Sequence, residues 1–277
     1  MQHSKCNHSL CAGELQHMMK LLLPQSFEFR RARLVERVKL AAMIVGATLI
    51  VSLPVAAGAA SNLVGRFTGG LEPWREIQFN ADLKRNTFRI REWDGAAALE
   101  VVSSASMSVL GRPLSVDLAA TPILCWRWRI DAPLERADMT QRSGDDYAAR
   151  LYVSLKIPDA EIGFALRTKL KLARAIWGPD VPDAAINYVW DNRQPVGAEM
   201  PNAYTDRTIM VVQRSGKKDA GQWQSERRNV QQDAARLFGP SARPVQLAIT
   251  SDTDNTGESA RAGFADIRFV SPDQGCN

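Results

Sequence analysis

The densest cluster of chemistry-bearing side chains in this 277-residue chain is the run SDTDNTGE at 251–258. Asp252 and Asp254 at alternating positions, with Asn255, Glu258 and a glycine beside them, make an oxygen-rich donor set suited to a hard cation such as calcium. The spacing partly echoes the opening of an EF-hand loop, D-x-D-N-x-G. The bidentate glutamate that closes such a loop would fall at position 263, which is Gly263, so an EF-hand is rejected. Two readings stay open: a calcium held by Asp252 and Asp254 in a loop, or an Asx-rich turn that satisfies its own backbone. A second acidic pair, Asp145 and Asp146, follows Gly144 and precedes Arg150 and Tyr152. Carboxylates there could hold a cation, accept hydrogen bonds from sugar hydroxyls, or pair with Arg150 to orient a polar ligand. The plainer alternative is a turn beside a surface salt bridge.

Aromatic residues supply the other half of a saccharide site, because pyranose C–H faces stack on indole and phenol rings while hydroxyls need flanking polar groups. Trp177, Tyr188, Trp190, Tyr204 and Trp223 are the candidates, and Trp190 and Tyr204 have polar neighbours: Asp191, Asn192 and Arg193 for one, Asn202, Asp206 and Arg207 for the other. Trp126 and Trp128 are assigned to the core, where a large ring buries the most apolar area. The expected ligand-binding set is therefore Asp145, Asp146, Arg150, Tyr152, Trp190 and Asn255, with Asp252 and Asp254 as metal ligands. Acid–base chemistry would have to use carboxylates, as in glycoside hydrolysis. Glu226 lies beside Arg227 and Arg228, which suits a structural salt bridge better than a general acid.

Several classes are excluded. All three histidines lie within the first 17 residues, which removes Ser-His-Asp and Cys-His catalysis and His-ligated metals from the rest of the chain. Residues 1–60 hold 7 Lys+Arg against 3 Asp+Glu, and the remainder holds 28 against 27. The net positive charge therefore belongs to the leader and gives no nucleic-acid-binding face. Arg30, Arg31, Arg33, Arg37 and Lys39 precede an apolar stretch from Leu40 to Ala57 and the small residues Ala57-Gly58-Ala59-Ala60. These are the parts of a secretory signal peptide, with cleavage expected near Ser61. Left uncleaved, the same stretch would be the chain's one contact with a membrane. Either way the domain at 61–277 is expected outside the cytoplasm, periplasmic or secreted. His3, Cys6, His8 and Cys11 resemble a metal cluster only superficially; a start codon at Met18 or later would remove them.

From about residue 70 the dominant period is two, which marks half-buried strands. Leu124, Trp126, Trp128 and Ile130 form one face; Tyr147, Ala149, Leu151, Val153, Leu155 and Ile157 form another, leaving Arg150, Tyr152 and Ser154 facing out. Segments 87–93, 187–190, 207–214, 245–251 and 264–270 read alike, and turn residues separate them. Lys169–Trp177 and Val230–Phe238 have helical composition, the second with Asn229 as N-cap and Gly239 as stop. About eight short strands with little helix predict a single all-β domain, a two-sheet antiparallel sandwich of jelly-roll type. Cys125 and Cys276 could form a disulfide in an oxidising compartment. Their positions, one in an apolar strand and one next to last, are read instead as a buried thiol and a frayed tail.

The run CWRWRIDAPLERADMTQRSGDDYAARLYVSL at 125–155, followed by NYVW, RTIMVVQRSG, GQWQSERRNVQQDAARLFG, SDTDNTGE and FADIRFV in that order, resembles a bacterial family known as domain of unknown function 3047. The resemblance covers roughly 70–270. It implies an exported, β-rich architecture and brings no activity or catalytic residues. The closing FADIRFV and the early WRWRI strand are also similar to strands of carbohydrate-binding jelly rolls, which bears on fold only. The sequence reading is an exported sandwich that binds a polar ligand such as a glycan or cell-envelope component. The alternative is a carboxylate-dependent hydrolase of envelope saccharides. A third possibility, a structural protein docking another protein, would show a flat apolar patch in place of a cleft.

Overall fold

The computed structural model describes residues 61–276, where the alternating segments become strands of two facing sheets. The strands are β1 (Ser61–Gly65), β2 (Arg75–Ile77), β3 (Thr87–Trp93), β4 (Ala96–Ser104), β5 (Val109–Pro113), β6 (Ile123–Ile130) and β7 (Tyr147–Lys156). They continue with β8 (Ala184–Asp191), β9 (Glu199–Asn202), β10 (Thr205–Ser215), β11 (Gln224–Asn229), β12 (Arg243–Asp252) and β13 (Ser259–Val270). Helix α1 (Phe164–Trp177) joins β7 to β8, and α2 (Val230–Phe238) joins β11 to β12. The first sheet has the order β11-β6-β13-β4-β3, with β1 added along the second half of β13. The second has the order β2-β5-β12-β7-β8-β10-β9. The expected two-sheet sandwich of jelly-roll type is thus what forms. It departs from pure antiparallel pairing at one place, where β10 runs parallel to β8.

The core lies between the sheets. Trp126 and Trp128 of β6 and Phe264, Ile267 and Phe269 of β13 meet Leu151, Val153 and Leu155 of β7 and Tyr188 and Trp190 of β8. Trp126 stacks on Tyr188 at 5.4 Å between ring centroids, and Trp128 meets Trp190 at 5.8 Å. Burying rings of this size supplies most of the driving force for sheet packing. Among the described residues these side chains form one continuous core between the sheets.

Strands that lack alternation escape a period-two reading. β4 (AAALEVVSS) is buried along nearly its whole length, and β11 (QSERRN) is a polar edge strand. Helix α2 has the expected bounds: the Asn229 side chain accepts the Gln232 amide at 3.0 Å, and Gly239 ends it at φ 98°. Helix α1 begins at Phe164, five residues before the expected Lys169. The inward series Ile162, Leu166 and Leu170 repeats every four residues, so the buried stripe starts a full turn earlier than the basic run.

Cys125 and Cys276 are joined in a disulfide with their Cα atoms 5.5 Å apart, which corrects the reading of a free thiol and a frayed tail. The tail folds back along β6 and β11: Arg227 donates to the Pro272 carbonyl at 2.7 Å, and Arg268 to that of Cys276. The bridge spans 151 residues of sequence, so it restricts the unfolded chain strongly, typically by about 2–4 kcal/mol. Thermal melts with and without reductant should show that loss for the 61–277 segment. The variant Cys276→Ser should melt with the reduced protein and be insensitive to reductant.

Candidate functional site

From Ala149 onward, alternation along β7 sends Ala149, Leu151, Val153 and Leu155 inward and Arg150, Tyr152 and Ser154 to the outer face of the second sheet. Tyr147, expected on the inward face, instead packs with Met139, Val189 and Met210 beside Arg150, because the pairing with β12 is irregular between Thr250 and Asp252. On that face Tyr152 stands across from Ala248 of β12 and Asn187 of β8. It stands in a cleft of ≈ 530 Å³. Phe79, Leu83, Met107 and Val109 give the cleft an apolar patch, in which Phe79, Met107 and Val109 pack with Tyr152. Asp145, Asn202, Tyr204, Asp252, Asp254 and Asn255 give it a polar one. The lip at Asp180, Val181 and Pro182 completes it.

The floor is built around Arg150, which is 3% exposed. Its guanidinium lies between the rings of Tyr147 and Tyr152, at 4.4 and 4.8 Å from their centroids, and pairs with Asp252. With the Asn187 amide turned so that its oxygen faces the guanidinium, that oxygen accepts Nε at 3.0 Å and Nη2 at 2.7 Å. Asp252, rather than Asp145 or Asp146, is thus the partner of Arg150, because β12 is the direct neighbour of β7 and brings Asp252 across from Tyr147.

The two acidic runs come together. Asp146 accepts from the backbone N–H of Asn255 at 3.2 Å, from the Asn255 amide at 3.1 Å and from the Thr256 N–H at 2.6 Å. These bonds cross 109 residues of sequence and pin the 251–258 run onto the GDD turn. Asp145 accepts the Tyr147 hydroxyl at 3.1 Å and the Asn202 amide at 2.6 Å. Tyr204, half-exposed, donates to Asn255 Oδ1 at 2.8 Å. Carboxylate oxygens of Asp146, Asp252 and Asp254 lie within 4.8 Å of one another. Burial pushes the Asp252 carboxyl well above the usual carboxylate range; Arg150 opposes this, and neighbouring Asp254 and Asp146 add to it. Asp252 Oδ1 is buried with no hydrogen-bond partner among the described residues. An all-oxygen donor set with one orphaned oxygen fits a hard cation.

Other expected participants are elsewhere. Trp190 is 1% exposed and belongs to the core, donating from Nε1 to the Gly216 carbonyl at 3.0 Å. The reason is strand parity: Trp190 pairs with inward-facing Ala149, and Asn187 pairs with Tyr152, so β8 presents Asn187 to the cleft. Asp191, expected to flank a bound sugar, caps a turn by accepting the Arg193 and Gln194 amides. Tyr188 is core, Trp223 packs edge-on against Trp93, and the Trp177 side chain lies outside the described residues. Glu226 is paired with Arg214 (2.6 Å) and the Trp128 indole (3.0 Å) rather than with Arg227 or Arg228, and burial raises its carboxyl. It does not line the cleft. Glu258 accepts the Glu135 and Arg136 amides, both at 2.9 Å, and so fastens a loop.

The family described as "Protein of unknown function (DUF3047)" matches residues 72–268. The chain belongs to the DUF3047 family. No curated protein matches it. Among solved structures, the xyloglucanase domain of NopAA, a type three effector from Sinorhizobium fredii, in complex with cellobiose, is similar at a TM-score of 0.36 and 8% identity. The alignment covers 73% of this chain and 99% of that one. A likeness of that size carries no argument about this DUF3047 chain.

The lip of the DUF3047 cleft hangs on Asp183, which is 1% exposed. Asp183 accepts the Ile157 N–H at 2.9 Å, Arg174 Nη2 at 2.6 Å and Lys156 Nζ at 3.0 Å. Burial alone would raise its carboxyl, but these three donors outweigh it and hold the group below the ordinary range. A carboxyl lowered in the folded state stabilises above its unfolded value, about 3.9, and loses that contribution as pH falls through the folded value. Asp183→Asn should therefore cost about 2 kcal/mol in urea unfolding at pH 7, and the difference from wild type should shrink steadily below about pH 4. A difference that stays constant down to acid pH would contradict the ionised, paired carboxylate.

Proposed function

We propose that this DUF3047 chain is an exported sandwich whose outer-face cleft binds a glycan or a related cell-envelope component. The observation that carries the reading is the division of the cleft lining into an apolar cluster (Phe79, Met107, Val109 and Tyr152) and a set of carboxylates, amides and the Tyr204 hydroxyl. A saccharide has the same division, with C–H faces to lay on apolar surface and hydroxyls to donate to fixed oxygens. Because the buried Arg150 is already satisfied by Asp252, the groups left to meet a ligand are Asp254 and the remaining donor and acceptor positions of Asn202, Tyr204 and Asn255, each of which already hydrogen-bonds a neighbouring side chain. The leader lies outside the described residues; what supports export is its charge and hydropathy pattern together with the Cys125–Cys276 bridge, since disulfides persist in oxidising compartments.

The same reading puts a calcium ion on Asp146, Asp252 and Asp254. Three carboxylates within 4.8 Å need a positive charge or a shared proton, and the unpartnered Asp252 Oδ1 offers a lone pair to the ion while Oδ2 stays on Arg150. This tight grouping suits a shared ion better than a hydrolase pair, whose carboxyls must flank a scissile bond. Release of reducing ends from an envelope polysaccharide tests that alternative directly.

The experiment is a thermal-shift and calorimetric titration of the 61–277 segment with calcium, with EDTA, and with a panel of envelope oligosaccharides. Calcium should raise the melting temperature, and Asp254→Asn, at the half-buried edge of the cluster, should abolish the shift. A glycan that binds should lose about tenfold in affinity in Tyr204→Ala, with unfolding of the unliganded variant little changed, since the removed ring is half-exposed. A panel that produces no shift in either the presence or the absence of calcium would sink the binding reading.

A further inference from the structure

Helix α1 has two apolar faces, and only one of them is used by the fold. Leu166, Leu170 and Ala173 point toward the sandwich, where Leu170 is buried and Leu166 packs on the core. On the opposite side Phe164, Leu172 and Ile176 are 79%, 61% and 60% exposed, with Ala165 and Ala175 between them, also exposed. At 3.6 residues per turn these five positions fall within about 120° of arc, and the one polar residue within it, Thr168, turns its hydroxyl back to the Phe164 carbonyl at 3.1 Å. Lys171 and Arg167 border that arc on one side and Lys169 on the other. Three large apolar side chains gathered on one solvent-facing stripe are not the scattered single exposures that soluble surfaces carry without consequence.

The charge of the helix says what covers the stripe. FALRTKLKLARAIW contains four Lys+Arg and no Asp or Glu. Arg174 is committed to Asp183 and the Val181 carbonyl. Arg167, Lys169 and Lys171 make no ion pair among the described residues, although the domain around them is nearly balanced in charge. An apolar stripe bordered by free cations on long aliphatic stems matches an anionic lipid surface: the apolar residues enter the headgroup–acyl boundary, and the lysines and arginine reach back to lipid phosphates. We propose that α1 docks this domain onto an anionic bilayer surface through Phe164, Leu172 and Ile176, with Arg167, Lys169 and Lys171 contacting the headgroups. The docking is independent of what the cleft binds and of the leader, which the 61–277 segment lacks.

Cosedimentation of the 61–277 segment with vesicles tests it, using phosphatidylcholine alone and phosphatidylcholine with about one-third phosphatidylglycerol. The wild type should partition onto the anionic vesicles at least tenfold better than onto the neutral ones, and the preference should fall as salt is raised. Phe164→Ser/Leu172→Ser/Ile176→Ser should lose at least tenfold of the anionic partitioning with an unchanged melting temperature, because all three side chains are solvent-facing. Lys169→Glu/Lys171→Glu, which removes no apolar surface, should lose a similar factor. Equal partitioning of wild type and both variants overturns the proposal. So does a wild-type dimer that the triple variant turns into a monomer without any change in vesicle binding, since the stripe would then be covered by a second copy.

Discussion

Arg150 is 3% exposed, and a guanidinium cannot shed its proton to escape burial, so its charge must be answered inside the protein. Asp252 supplies the opposite charge from the neighbouring strand, the rings of Tyr147 and Tyr152 lie against the guanidinium, and Asn187 offers an acceptor from the third strand. One residue thereby locks β12, β7 and β8 in register at the centre of the second sheet. A pair of this kind is expensive to desolvate and gains little net stability, yet breaking it would leave an uncompensated charge. Its effect is to fix geometry: everything on the cleft floor is placed relative to Arg150.

The acidic cluster follows from the same constraint. Asp252 is held by Arg150 through one oxygen, its second oxygen is buried without a partner among the described residues, and its carboxylate lies close to those of Asp146 and Asp254 where the two loops are pinned together. Asp146 cannot move away, since three N–H groups of Asn255 and Thr256 hold it. The loops therefore keep like charges close instead of letting them spread into solvent. That arrangement persists only with a compensating proton or cation, and the neighbouring carboxylates add to the upward push that burial exerts on the Asp252 carboxyl.

How much of this was legible depended on whether the signal was local. The period of two in β6 and β7 identified the core face, and it correctly set Arg150 and Tyr152 outside it. Asn229 and Gly239 marked both ends of α2. The acidic runs were expected to hold a ligand or ion, and the structure brings Asp145, Arg150, Tyr152, Asp252, Asp254 and Asn255 to one cleft, with Asp146 in the same cluster of carboxylates. What failed was long-range. The face that Trp190 occupies is decided by its register with Ala149, and its polar neighbours Asp191 to Arg193 belong to a turn. The Arg150–Asp252 pair spans 102 residues and the disulfide 151, and no local pattern encodes either closure. Phe79, Met107 and Val109 carried no signal at all, because an apolar residue that lines a cleft looks the same in sequence as one that fills a core.

The cleft and the basic helix are joined by one short piece of chain. Helix α1 ends at Trp177 with Gly178 as its C-cap, and Asp180 to Pro182, just beyond Pro179, are the lip of the cleft. Asp180 is tied to Arg75 of β2 and Asp183 to Arg174 in the last turn of the helix, so both ends of the lip are anchored by ion pairs to elements on either side of it. Any tilt of α1 must therefore strain the Arg174–Asp183 pair or be transmitted to the lip. Because the inner face of the helix is held mainly by Leu166 and Leu170 while its outer face is open, little apolar packing resists such a tilt. A contact made on the outer face of α1 thus has a short mechanical route to the entrance of the cleft, whatever the cleft contains.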